Sequence, residues 1–458
     1  MSASSRRIRV WWPAIGVAFG CLGIYTALSV QQWVERVVPS WDLAIFTEAV
    51  RGWAIHGWPV IDIKGAGAVQ LGDHFSPVLM LLAPLWRLFP SPLMLLIVQD
   101  VLIAISIVPI VQCASRRLGR LAGVLIGVAY GLSWGIQSGI ASQFHEYAFA
   151  VPLLAFGLSA FLEHRWRQSA VWMLLLLTVK EDLGFTAVVF GALLFFAGQR
   201  RLGAVVSSVS LAWTALVLLV VIPAFRAGHR WGYWGALDWS ALGHGWQMKL
   251  ATLLLLGSAT MFVAFLSPLI LLIVPTLAWR FLSADSYYWG PWWHYSLILM
   301  PIIFLAAVDI LARWRTSQRD VLEITSRVVP VALAVLPLAL MMVPSPAQTR
   351  VPSELRTIAS PSSWRPSAHE REIRQVLSKI PAGSRVASDV GLISYVAARD
   401  DVYWVGDPVP GGPQFVLLTP WKGGPDDVAR YAEDVYHRRY RTVYDRSGYK
   451  LAQMIAAD

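Results

Sequence analysis

The chain has 458 residues, of which 56% are hydrophobic and only 14% charged, and its mean hydropathy is +0.54. A soluble protein of this length would carry about a quarter charged residues, so the composition excludes that class and calls for several membrane crossings. The net charge of +10 comes from arginines placed singly or in pairs between apolar runs, a positive-inside pattern that argues against nucleic acid as a partner.

In chain order, the basic start "MSASSRRIRV" leads into an apolar run longer than a signal-peptide core, which reads as an uncleaved first helix. Eleven spans are predicted: 10–30, 91–113, 121–140, 147–163, 169–180, 183–199, 202–224, 249–266, 268–283, 295–312 and 327–343. The fifth is short and is expected to be tilted, broken or partly re-entrant. Arg6, Arg7 and Arg9 place the N-terminus in the cytoplasm, and alternation then assigns "ASRRLGR", "EHRWRQ", "GQRR" and "RWRTSQRD" to the inside. Between the first two spans, "WDLAIFTEAVRGWAIHGW" has helical periodicity and is expected to lie in the membrane interface, as is the segment 76–89. Cys21 and Cys113 lie in apolar segments without metal-ligand spacing and read as buried, inert thiols.

The tail differs from the rest. "HEREIRQVLSKI", "GLISYVAAR" and "DDVARYAEDVYHRRY" read as helices, and "RVASD", "DVYWVG" and "QFVLLTP" as strands. The predicted organisation is a membrane domain over 1–343, with 31–90 as its first outer loop, and a small extracytoplasmic α/β domain over 344–458. An odd number of crossings puts the C-terminus outside.

Charged side chains gather in the predicted outer loops: Asp42 and Glu48, Asp73 and His74, His145 and Glu146, the triplet Lys180, Glu181 and Asp182, then Asp285 and His294. One such group is ordinary loop polarity. Five groups at one membrane level, without an evident excess of lysine or arginine to pair them, point to a site. Asp100 and Asp309 lie within spans and belong to no motif. The aromatic cluster Tyr287, Tyr288, Trp289, Trp292 and Trp293 suits either an interfacial belt or stacking on sugar rings. The His–carboxylate pairs leave a divalent metal open, although no HExxH or Cys/His spacing supports one, and no cofactor is assigned.

The motifs "WDLAIFTEAV", "LGDHFSPVLMLLAPLW", "QFHEYAFAVPLL", "KEDLGF" and "HYSLILMPIIFLAAVDIL", with the tail "IPAGSRVASDVGLISYVAARDDVYWVG", carry a resemblance. The chain resembles an uncharacterised family of predicted bacterial integral membrane proteins within the GT-C superfamily of polyprenyl-linked-sugar glycosyltransferases. The resemblance implies a GT-C-like polytopic helical fold in the bacterial cell membrane. It also implies transfer of a sugar from a polyprenyl-phosphate donor to an acceptor hydroxyl on the outer face. Asp42 occupies the position of the acidic residue in the first outer loop of that superfamily, and no Asp-X-Asp pair is present. Asp42 is therefore expected to be the base, with a pKa raised at the interface beside Trp41. Lys180 is expected to meet the lipid phosphate, with Arg226 and Arg230 more peripheral, while Glu181 and Asp182 hold Lys180, bind sugar hydroxyls or orient His145. Glu48, Asp73, His74, His145, Glu146, Asp182 and His294 are expected to contact substrate. A proton-coupled transporter or lipid flippase would use the same groups at the midplane with inverted repeats, neither of which is seen. A non-catalytic scaffold would leave the charged loops unexplained.

Overall fold

A computed structural model describes residues 3–35, 41–226, 237–342, 364, 369–420 and 424–455. Helix α1 (Ala3–Glu35) precedes α2 (Trp41–His56), the one-turn α3 (Gln70–Asp73), α4 (Ala83–Leu88) and α5 (Pro92–Leu118). Ser91 caps α5 by accepting from Leu93 N, with Pro92 as the first helical residue, where its missing N–H costs nothing. Gly119, at φ +97°, ends α5 and turns the chain into α6 (Arg120–Gly131) and α7 (Trp134–Ala141). Then come α8 (Tyr147–Leu162), α9 (Trp166–Leu174), α10 (Leu183–Phe196), α11 (Arg200–Leu216), α12 (Ile222–Phe225), α13 (Trp246–Ser258), α14 (Val274–Leu282), α15 (Leu299–Arg315) and α16 (Asp320–Met342).

Every predicted span contains one of these helices. Five stretches are long and apolar enough to cross a membrane by themselves: Trp11–Val34, Pro92–Leu118, Arg120–Ala141, Arg200–Phe225 and His294–Arg315. The stretches Tyr147–Leu162, Leu183–Phe196 and Pro268–Leu282 are apolar but shorter, so they span less than the roughly 30 Å of a hydrocarbon core. The fifth predicted span is broken, as expected: α9 passes into a 3-10 turn at Leu175–Thr178. The eighth is broken as well, because Met261 and Phe262 adopt positive φ after α13.

Helix α15 is buried on all sides from Leu299 to Ala312, as befits the axis of a bundle. Helices α10 and α11 meet backbone to backbone, since a Cβ on Gly203 would lie 2.5 Å from the Gly191 carbonyl oxygen. Small residues permit that approach where no water drives helices together.

In the tail, a five-stranded sheet has the order β2-β1-β3-β5-β4, with β1 (Arg385–Ser388) parallel to β2 (Asp401–Trp404) and β3 (Phe415–Leu418). The antiparallel hairpin of β4 (Tyr440–Arg446) and β5 (Tyr449–Met454) was not anticipated from the sequence. Ser447 and Gly448, both at positive φ, form its turn, the geometry favoured in tight hairpins. The anticipated helix at "GLISYVAAR" is a single turn, Ile393–Val396, and the helices Glu370–Ser378 and Val428–Tyr436 match their predicted segments.

The sheet rests on the first loop of the membrane domain. Trp33 stacks on Tyr395 with ring centroids 4.5 Å apart, and Trp41 meets Trp404 at 4.3 Å. Helix α2 is consequently enclosed, with Leu43 to Val50 all buried, and does not lie on the surface as its periodicity suggested.

Candidate active site

Five separate stretches of chain converge on one cavity of about 570 Å³. Asp42 enters from the first turn of α2 with about half its side chain exposed. Asp73 and His74 come from the end of α3, and His145 and Glu146 from the turn before α8, which Gln143 reaches at φ +70°. Lys180, Glu181 and Asp182 form the turn between the 3-10 segment and α10, and His294 opens the approach to α15. All nine side chains line the cavity.

They interlock in three groups. His145 Nε2 lies 3.3 Å from Asp42 Oδ2, while its Nδ1–H is spent on the Gln143 carbonyl at 3.0 Å and its backbone N–H on Gln99 of α5. The ring stacks on His294 at 3.4 Å. Since Nδ1 carries a proton, Nε2 faces the carboxylate favourably only when one of the two is protonated. In the second group, Lys180 pairs with Glu146 at 2.7 Å and lies 4.6 Å from the centre of the Tyr147 ring. Tyr147 donates to Asp182 at 2.8 Å. In the third, His74 Nδ1 bonds Glu181 at 2.7 Å and Glu181 also accepts from Phe75 N, while Asp73 lies between Lys64 at 3.2 Å and Arg226 at 3.6 Å.

These pairings set the charges. Burial raises the Asp42 carboxyl, but His145, Lys180 and Lys64 outweigh it and hold the group below the usual carboxylate range. The expectation of a raised Asp42 is therefore corrected: three nearby positive or protonatable groups overcome the interface. Glu181 is lowered in the same way, burial losing to His74 and Lys180. Asp182 moves the other way, pushed up to about 6 by burial with Lys180 pulling against it. The expected lack of pairing cations is corrected too, since Lys180, Lys64 and Arg226 each hold a carboxylate. The partner of Lys180 is Glu146 and not Glu181.

Glu48 does not line the cavity. It is buried on the other side of α2, accepting from Ile63 N at 3.1 Å and from Val402 N of β2 at 3.3 Å, so its place is a joint and not a substrate contact. Asp285 caps Tyr287 N outside the cavity, Asp100 accepts from Ser29, and Asp309 pairs with Arg313. Of the aromatic cluster, Tyr288 alone lines the cavity. Arg230 lies outside the described residues. Lys64, Tyr147, Trp279 and Tyr295 line the cavity without having been anticipated. Lys64 had one available signal, as the only lysine between residues 31 and 90. Among the described residues, no three His, Cys, Asp or Glu side chains are grouped as metal ligands.

A model of one protein family matches residues 37–451, nearly the whole chain. The chain belongs to that family, described as predicted membrane protein (DUF2079). No match is found among curated proteins. Two solved structures of ArnT from Cupriavidus metallidurans are similar to this DUF2079 protein at 13% identity each. One, bound to undecaprenyl phosphate, has a TM-score of 0.55 over 100% of this chain and 99% of that one. The other, in the apo state, has a TM-score of 0.56 over 95% and 98%. The likeness establishes that this membrane protein shares the fold of those two structures.

Proposed function

We propose that the protein moves a sugar from a polyprenyl-phosphate donor to an acceptor hydroxyl. The observation that carries this reading is that one cavity joins two unlike walls. One wall is the charged cluster; the other is apolar, formed by Phe185, Val188, Val189, Leu218, Val274 and Leu282. A lipid-linked phosphate needs both, an apolar track for its chain and cations at its head. The undecaprenyl phosphate held by ArnT, a protein of the same fold, supports the same ligand class.

In this reading the isoprenoid lies along the apolar wall and its phosphate faces Lys64, Arg226 and Lys180. The acceptor oxygen attacks the anomeric carbon, the bond from that carbon to the phosphate oxygen breaks, and the lipid phosphate leaves with the electron pair. Asp42, ionised and half-exposed, takes the hydroxyl proton as it becomes acidic in the transition state. His145 orients Asp42. Tyr288 and Trp279 offer ring faces for the sugar. The same reading puts the cavity and the C-terminal sheet on the outer face and the arginine loops in the cytoplasm.

The test is release of free undecaprenyl phosphate from a panel of undecaprenyl-phosphate-linked sugars in proteoliposomes. Wild-type protein is expected to release it and Asp42→Asn is not. Absence of release with every sugar, together with proton-coupled uptake of a polar solute, would replace this reading with transport. For sidedness, a periplasm-active reporter within 313–320 should be silent and one after Asp458 active.

A further inference from the structure

A second concave site lies at the opposite end of the helices that frame the cavity. It is a basin of about 910 Å³ formed where the loops 164–168 and 198–202 meet. Helix α10 begins beside Asp182 at the cavity and ends at Phe196, next to the basin, and α11 runs back from Arg200 at the basin toward Leu218 at the cavity. At 1.5 Å per residue the 14 residues of α10 rise roughly 21 Å. The two sites therefore lie at opposite ends of this helix pair.

Four arginines line the basin: Arg165, Arg167, Arg200 and Arg201. Arg165 is occupied by Glu163, 2.7 Å away, which also holds Arg116. Arg167, Arg200 and Arg201 are exposed, and among the described residues they make no ion pair. No carboxylate lines the basin. Helices α9 and α11 both begin at it without a side-chain cap, so their first-turn N–H groups add to the arginines. Beside the arginines the chain also exposes apolar side chains, Phe196 at 84% and Val205 at 56%, a flank that suits acyl chains next to a phosphate. Orientation by positive charge requires arginines somewhere in these loops. It does not require two loops to fold into one basin.

We infer that this basin binds the phosphate headgroup of an anionic phospholipid, with the acyl chains passing over the exposed Phe196 and Val205. Guanidinium forks match phosphate oxygens, and basic pockets between membrane helices are known seats for such headgroups. The inference does not depend on the activity proposed above.

The experiment measures lipid retention by full-length protein purified from mixed phosphatidylglycerol and phosphatidylcholine vesicles. Three forms are compared: wild type, R167Q/R200Q/R201Q, and R167K/R200K/R201K. The lysine form keeps the charge that orients the chain, so it separates binding from topology. Wild type is expected to retain phosphatidylglycerol about tenfold over its share, the lysine form severalfold less, and the glutamine form at the mixing ratio. Should the glutamine form fail to fold, Arg200→Gln alone is expected to halve the preference or more. Wild-type preference in the glutamine or Arg200→Gln form would overturn the assignment. So would complete displacement of the lipid by millimolar inorganic phosphate, which would make this a site for soluble phosphate.

Discussion

Helix α2 presents two carboxyl groups to two different environments. Asp42 faces the cavity, where His145, Lys180 and Lys64 hold it below the usual range against the effect of burial. Glu48, six residues on, faces the joint with the C-terminal sheet. There burial raises it to about 8, against the pull of the Ile63 and Val402 N–H groups and of Arg51, with Asp62 adding to the rise. The same short helix thus holds an ionised group ready to accept a proton and a buried group that keeps one through neutrality. Neighbours, and not the residue type or its spacing, decide which acid can do chemistry.

The largest effect is expected at the lysine of the cavity. Glu146 is buried and Lys180 largely so, and Lys180→Met leaves Glu146 without its counter-charge, which costs about 3–5 kcal/mol. A clear fall in detergent melting temperature is expected, together with lost transfer. The double variant Lys180→Met/Glu146→Gln should recover most of the melting temperature but not the transfer. Recovery of both would remove Lys180 from the phosphate site. Next comes Asp42→Asn, expected to lower transfer by about 10²-fold or more with little change in melting, because the half-exposed side chain loses its basicity and only a partly screened pairing with His145. Normal transfer would shift the search for the base to Asp73 or Glu181.

Glu48 should respond to pH in the opposite sense to Asp42. An acid raised in the folded state contributes stability that is fully present below its unfolded value of about 4.5 and is lost as pH rises through about 8. Protection of the amides at residues 397–402, as exchange relative to its intrinsic rate at each pH, should therefore fall between pH 5 and 8 in the wild type. In Glu48→Gln, with no proton to lose, that dependence should flatten. The smallest effect is expected for Arg51→Ala. Arg51 pairs with Asp401 at 2.6 Å and donates to the carbonyls of Ala397 and Asp400. Its loss should loosen the sheet by about 1–2 kcal/mol, visible as earlier proteolysis of the tail with transfer retained.

How much of this was legible follows from range. Apolar run length is a local property, and every predicted span holds a helix. The convergence of "WD", "GDH", "FHE", "KED" and "HY" on one cavity was legible as well, because charge is costly enough near lipid to need a reason. Pairing was not. Nothing in "KED" says that Lys180 would choose Glu146, 34 residues earlier, over its neighbour Glu181. Nor does "FTEAV" say that Glu48 would meet a strand 354 positions away. The hairpin after His437 was missed although Ser447–Gly448 marks its turn, since the alternation of β4 is interrupted by a bulge between Thr442 and Tyr444.

The joint at Glu48 also fixes an order of events during synthesis. Its two donors come from Ile63, made just after it, and from Val402, made near the end of the chain. Ile63 precedes Lys64, whose ammonium reaches Asp73 in the cavity. The first loop thus emerges from the ribosome long before the strand that completes its bonding exists, and contacts of such separation form late. A chain interrupted before β2 would carry every helix described from α1 to α16 but leave the Val402 side of Glu48 open. The turn that presents Lys64 would then lack the strand packed against it. The last part of the protein to be made closes over the first loop, so a truncated product would be inserted but incomplete at the cavity.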